Sequence, residues 1–138
     1  CDEKRKEEVL NLVCLDKNVL KKFPSQLSGG QIQRVVIAIA LSRDIKILLL
    51  DEPTTALDEE NKKNIIDLIN EIKKHLNILI LFVTHDINSI QNICKDIIIL
   101  KNGKIIEKGL TNDILSTPKE DYTKRLINST FKNKIFRT

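Results

Sequence analysis

Methionine and tryptophan are absent from this chain of 138 residues, and glycine (4), proline (3) and tyrosine (1) are scarce. The three cysteines, Cys1, Cys14 and Cys94, are odd in number and scattered, with no C-x-x-C pair. That pattern points to ordinary thiols in a reducing compartment and away from a disulfide framework or a metal site. No run approaches the ~18 apolar residues of a bilayer-spanning helix, and no secretory signal pattern occurs, so the expectation is a chain in the cytosol or held at a membrane only through a partner. The four phenylalanines and one tyrosine do not alternate with basic residues, which leaves no stacking platform for nucleic acid. Also missing is any Gly-x-x-x-x-Gly-Lys-Ser/Thr loop. With no initiator methionine and an opening inside a charged helical pattern at Cys1-Asp2-Glu3, the expectation is a piece cut from a longer protein.

What is present is ordinary globular usage: 41% apolar and 30% charged residues, enough for one domain with a core. The net charge of +4 is local. Residues 118–138 carry six basic and two acidic side chains, whereas residues 1–117 balance at 17 of each. A basic, solvated C-terminal helix or tail accounts for this better than a polyanion-binding patch.

Hydrophobic spacing predicts a short helix over residues 3–15, then a connecting loop from Asp16 to Gln26. Ser28 and Gln31 form a capping-box pattern ahead of a helix whose buried face is expected at Ile32, Val35, Val36, Ile39 and Ala40. Ile45 to Leu50 reads as a strand in the middle of a parallel sheet. Asp58, with Glu59 and Glu60, caps a helix running to about Lys74, with Ile65, Ile66, Leu68, Ile69 and Ile72 inside. Ile78 to Val83 is a second strand, Asp86 opens a helix to about Cys94, and Ile97 to Leu100 is a third strand, an alternation that implies parallel crossovers. Asn102-Gly103 predicts a hairpin to Ile105-Ile106. Thr117-Pro118-Lys119-Glu120 is expected to start a last helix through about Asn128, with a frayed tail beyond Lys132. A chain with only these strands leaves a sheet edge or face exposed.

In open parallel sheets, ligands bind beyond the carboxyl ends of the strands. Asp51-Glu52 ends one strand and Thr84-His85-Asp86 follows the next, so the expectation is that both reach one crevice. There a strand-end carboxylate can reach Mg²⁺ through water, its neighbour can orient or deprotonate a water for in-line attack on a phosphoryl group, and His85 can donate to the γ-phosphate. Taken alone, the Asp-Glu pair could begin a solvated loop and His85 could be a surface histidine. The flanking Ile47-Leu48-Leu49-Leu50 and Pro53-Thr54-Thr55-Ala56-Leu57-Asp58 favour the phosphoryl site. Leu27-Ser28-Gly29-Gly30-Gln31 reads as an anion site, with free amides at a helix N-terminus and a serine hydroxyl, or else as a plain helix start after a flexible turn. A phosphate turn on a separate helix from the carboxylates would serve a neighbouring copy, which predicts a dimer.

Leu27-Ser28-Gly29-Gly30-Gln31 resembles the signature of ATP-binding cassette (ABC) ATPases. Ile47 to Glu52 is similar to their Walker B strand, Thr55-Ala56-Leu57-Asp58 to their D-loop, and His85 to their switch histidine. The resemblance implies an α/β fold of the P-loop NTPase type, with a mostly parallel sheet, lacking the Walker A half and beginning in the end of the helical signature subdomain. Residues 1–44 would be that subdomain end, 45–110 the catalytic core and 111–138 a C-terminal helical extension. It further implies ATP and Mg²⁺ as cofactors, with Asp51 as the metal-holding carboxylate and Glu52 and His85 as catalytic residues. Ser28, Gly29, Gly30 and Gln31 would bind the γ-phosphate of the opposite cassette, and Asp58 would communicate across the dimer.

The partners implied are a second cassette, identical or not, packed head to tail, and transmembrane permease subunits at the cytoplasmic face of the membrane; nucleic acid is not among them. The Val36-Ile37-Ala38-Ile39-Ala40 run and the Pro118 to Leu126 segment look like importers of peptides or nickel, although Glu120-Asp121 stands where that subfamily has His-Pro. Two other readings remain: a nucleotide-incompetent binding or regulatory module, and a soluble DNA-repair ATPase of the same superfamily. Without a Walker A lysine, this piece alone is expected to be inactive.

Overall fold

A computed structural model describes residues 3–135, with side chains described through 129. The chain forms two compact units, Cys1–Val83 and Thr84–Thr138. Cys1, Asp2 and the last three residues, which carry part of the expected N-terminal pattern and of the frayed tail, lie outside the described residues.

The first unit opens with helix α1 (Glu3–Leu12), whose Val9 and Leu10 are buried. The stretch expected as plain loop contains two single 3₁₀ turns, Lys17–Lys21 and Pro24–Gln26. Asp16 starts the first of them by accepting the Asn18 N–H at 2.7 Å, the short-range bonding that makes aspartate a turn former. Helix α2 (Gly29–Leu41) begins as its capping box dictates: Ser28 Oγ accepts the Gln31 N–H at 3.2 Å and Gln31 Oε1 accepts the Ser28 N–H at 3.1 Å.

The buried face of α2 differs from expectation. Gly30, Ile37, Ala38 and Leu41 are inside, while Ile32, Val36 and Ile39 are exposed. Apolar side chains surround this helix, so its periodicity singles out no face; packing against α1 and the following helix does. Two arginines secure the α1–α2 contact by satisfying carbonyls at the other helix's end. Arg34 donates to the Val13 carbonyl at 2.8 Å and Arg5 to the Leu41 carbonyl at 3.0 Å.

Strand β1 (Ile47–Asp51) pairs in parallel with β2 (Leu79–Val83), Leu48 opposite Ile80 and Asp51 opposite Val83. Between them runs α3 (Glu59–His75), N-capped by Asp58, with Ile65, Leu68, Ile69 and Ile72 buried. The parallel pairing and crossover helix are those expected, but β1 is not covered on both faces. Leu48 and Leu50 are buried, whereas Ile47 and Leu49 are exposed together with Leu79, Leu81 and Val83 of β2. A continuous apolar run suits a strand buried on both sides, and this two-stranded sheet buries only one side of β1.

In the second unit, Asp86 caps a helix as expected, but α4 spans only Ile87–Ile90 before giving way to a turn. Strand β3 (Asp96–Lys101) pairs antiparallel with β4 (Lys104–Leu110) in a sheet separate from β1–β2, so the expected parallel crossover into this strand is not formed. The Asn102-Gly103 turn joins them, both residues at positive φ (50° and 72°), as a two-residue hairpin requires. Helix α5 (Thr111–Ser116) has no side-chain cap and only six residues, too weak a signal to read from sequence.

The last helix, α6 (Asp121–Ile135), starts later than Thr117-Pro118 suggested. Its entry is fixed from outside. Glu107, buried on β4 opposite Ile99 at a bulge that skips Ile106, accepts the N–H groups of Lys119 at 3.0 Å and Glu120 at 3.2 Å. The Lys119 amide first, and the Glu120 amide with it, hold the Glu107 carboxyl below its ordinary value of 4.5.

Two consequences are measurable. Ser28→Ala should cost about 1 kcal/mol in urea unfolding, because the Gln31 amide loses its acceptor. For Glu107 the folded-state pKa is the lower one, so its contribution is present above the unfolded value near 4.5 and is lost as pH falls through the folded value. Thermal melts should therefore show Glu107→Gln less stable than the parent at pH 7, with the gap closing on acidification below about pH 4. A gap independent of pH would contradict this account.

Candidate functional site

Three pieces of the expected site lie in the first unit. Asp51 closes β1 level with Val83, and the Glu52 N–H donates to the Val83 carbonyl at 2.9 Å, extending the parallel ladder by one bond past the strand. Asp51 is exposed and Glu52 half-buried. At Glu52 the chain turns sharply, with φ at 47°, and the turn closes through the Thr55 N–H donating to the Glu52 carbonyl at 3.1 Å. The Thr55 hydroxyl donates to Glu52 Oε2 at 2.7 Å. Thus one carboxylate oxygen is held by a residue that sequence reading did not single out, although Thr three positions after Glu is turn spacing that could have suggested it.

Past this turn, Ala56 also has positive φ (64°), and Asp58 begins α3. Asp58 Oδ1 accepts the Asn61 N–H and Oδ2 accepts Asn61 Nδ2–H, each at 2.8 Å. These bonds to Asn61, backbone first and side chain second, keep the Asp58 carboxyl below its usual range.

The signature turn sits on this region. A Cβ added at Gly29 would meet Leu57 Cδ2 at 3.4 Å, and one added at Gly30 would meet Asn61 Oδ1 at 2.6 Å. Ser28 and Gly29 are exposed, Gln31 is partly exposed and Gly30 is buried. The capping box occupies the amides of Ser28 and Gln31, and the amides of Gly29 and Gly30 lie between them at the helix N-terminus. The structure therefore brings Gly29 and Gly30 against the Leu57–Asn61 segment. Asn61 was missed in sequence reading; its place three residues after the cap Asp58 is the available signal.

His85 belongs to the second unit, exposed in the short link before α4. Its neighbours form a local turn: the Asp86 N–H donates to Thr84 Oγ1 at 3.0 Å, Asp86 Oδ1 accepts the Asn88 N–H at 3.0 Å, and the Ser89 hydroxyl donates to the Asp86 carbonyl at 2.7 Å.

Among the described residues no three or more His, Cys, Asp or Glu side chains gather as a metal cluster. The donor chemistry nonetheless suits the expected groups: a hard carboxylate at a strand end fits a water-mediated contact to Mg²⁺, and helix-terminal amides with a serine hydroxyl fit phosphate. Among the described residues, no helix is long and apolar enough to cross a membrane.

Residues 2–55 match the ABC transporter family model. The chain is 46% identical over 132 residues to the methionine import ATP-binding protein MetN 4 of Oceanobacillus iheyensis, covering 95% of this chain and 38% of that protein. It is 44% identical over 124 residues to MetN of Bacillus subtilis, covering 90% of this chain and 36% of that protein. It thus spans less than two-fifths of the length of these relatives. Among solved structures, cbiO1 from Clostridium perfringens, described as part of the ABC transporter complex cbiONQ, superposes with a TM-score of 0.73 at 32% identity over 95% of this chain and 51% of that one. A bacterial ABC transporter cassette solved as a dimer gives 0.66 at 37% identity over 78% of this chain and 46% of that one. Residues 2–55 thus carry the sequence pattern of the ABC transporter family, and the chain has the α/β fold of the solved cassettes over the stretch it shares with them.

Proposed function

We propose that this chain is the C-terminal part of the ATP-hydrolysing subunit of an ABC importer, coupling ATP binding and hydrolysis to transport. The observation that carries the reading is the convergence, within one unit, of a strand-end Asp51-Glu52 pair, an Asp58-capped helix and a capped Gly-Gly helix start lying against it. In this reading residues 1–44 end the helical subdomain, 45–110 form the catalytic core and 111–138 extend it. Bound Mg²⁺ would neutralise phosphate charge at the nucleotide. Asp51 would hold that ion through water, and Glu52, with one carboxylate oxygen fixed by Thr55, would orient the attacking water and take its proton. His85 would donate to the γ-phosphate. Ser28, Gly29, Gly30 and Gln31 would offer donors to the γ-phosphate of a second cassette, and Asp58 would lie at that interface.

The partners are then a second cassette, packed head to tail, and permease subunits, with the protein peripheral at the cytoplasmic face of the membrane. The solved relative that is itself a dimer supports the first. For cargo, relatives at 44–46% identity are named for methionine import, which supports methionine over the peptide or nickel suggested by the Pro118 to Leu126 segment.

In the full-length protein, Glu52→Gln should trap a nucleotide-bound dimer while hydrolysis is nearly abolished; turnover surviving that change would remove the role assigned to Glu52. The 138-residue chain by itself lacks a phosphate loop and should show no stoichiometric ATP binding in calorimetry. Tight binding there would mean that this stretch holds the nucleotide without such a loop.

A further inference from the structure

The glycines of the signature are usually valued for letting a ligand approach the backbone. In this chain the space beside Gly30 is taken by a side chain of the protein itself. Asn61 Oδ1 lies 2.6 Å from where a Gly30 Cβ would stand, closer than real Cβ contacts allow, and Gly30 is buried. The same Asn61 spends its backbone N–H on Asp58 Oδ1 and its side-chain N–H on Asp58 Oδ2, both at 2.8 Å, so both carboxylate oxygens are held by one residue. One position further out, Gly29 meets Leu57. A single side chain therefore has one end against the signature turn and the other clamped on Asp58.

We propose that Asn61 is a positioning residue that couples the signature turn at Gly30 to the Asp58 carboxylate, so that engagement of a phosphate at Ser28–Gln31 sets where Asp58 points. This rests on the ATPase reading above. Transmission is physically reasonable because the Asn61 amide is held on the Asp58 side by a bond of 2.8 Å and fills the space that a side chain at Gly30 would need. The amide plane of Asn61 cannot turn without breaking the bond to Asp58, and the turn at Gly30 cannot approach without displacing the amide. Asparagine combines a shape that fits beside Gly30 with a donor for the Asp58 carboxylate. Aspartate matches the shape but meets Asp58 with a second negative charge, and alanine leaves both partners unsupported.

The Asn61→Asp variant separates positioning from structure because the two roles predict different readouts. A purely structural Asn61 predicts that the like charge beside Asp58, partly offset by the preference of a helix N-terminus for a carboxylate, shows only in the melting temperature and leaves kcat at the parental value. On the full-length protein, Asn61→Asp is expected to melt within a few degrees of the parent, yet to lose about tenfold in kcat for ATP hydrolysis. Its KM for ATP should stay within about twofold. Gly30→Ala should also lose kcat, and Gly30→Ala/Asn61→Ala should be no slower than the slower single variant, because the clash needs both side chains. Parental kcat in Asn61→Asp, or losses that multiply in the double variant, would overturn the proposal. If the parent itself hydrolyses no ATP, the ATPase reading falls instead. The contact is then judged by melting: Asn61→Ala should restore stability to Gly30→Ala, and failure to do so would dispose of the coupling as well.

Discussion

Burial of one stripe of α3 is the constraint on which the first unit depends. Ile65, Ile69 and Ile72 have no measurable exposure and Leu68 has little, so rotation or sliding of the helix would open cavities at several positions at once. Fixing α3 fixes its first turn, and that turn carries Asp58 and Asn61. On one side it follows directly from the Glu52–Leu57 turn that leaves β1. On the other side it receives the Gly29-Gly30 start of α2. Residues distant in sequence are thus held by one buried helix, and none of them needs to be rigid by itself.

Polar groups then set the directions of what the core has placed. Carboxylates, hydroxyls and amides work in pairs at element ends: Ser28 with Gln31, Asp58 with Asn61, Glu52 with Thr55, and Glu107 with the amides before α6. Each satisfies donors that a helix start or tight turn would otherwise leave unpaired. The first three belong to the candidate site or adjoin it. Glu107 is the exception, a buried carboxylate whose role is to anchor the entry of α6, and its lowered pKa follows from that anchoring.

Legibility in the sequence followed the range of the interaction. Caps and turns, set within four residues, could be read directly: Ser28–Gln31, Asp58 before α3, and Asn102-Gly103 in the hairpin all stand where their side chains require. The type of each strand and long helix was also readable, and so was the parallel pairing of β1 with β2. Tertiary choices were not. The buried face of α2 could not be told from a ring of Ile, Val and Ala, and the antiparallel partner of β3 could not be told from an apolar run. The start of α6 was misplaced because the Lys119–Glu120 segment before it is held by Glu107, more than ten residues upstream. At the candidate site, Asp51, Glu52 and Asp58 were found as strand ends and caps. Thr55 and Asn61 were not, since their significance lies in which carboxylate or glycine they touch.

The backbone at Glu52 shows how these levels join. Glutamate at φ 47° and alanine at φ 64° sit in the left-handed region, where a non-glycine residue costs about 1–2 kcal/mol. Such conformations persist only when the surroundings over-determine them. Here they do: the Glu52 amide is tied to Val83 on β2, the turn is closed by the Thr55 amide, and Pro53 and Thr54 between them are buried. A glycine at position 52 would relax the turn but have no carboxylate, and a glycine at 56 would relax it without that loss. The strain at 56 is thus a consequence of turning the chain between β1 and Asp58. The strain at 52 is inseparable from putting a carboxylate at the first step beyond the sheet, where the Thr55 hydroxyl can hold it.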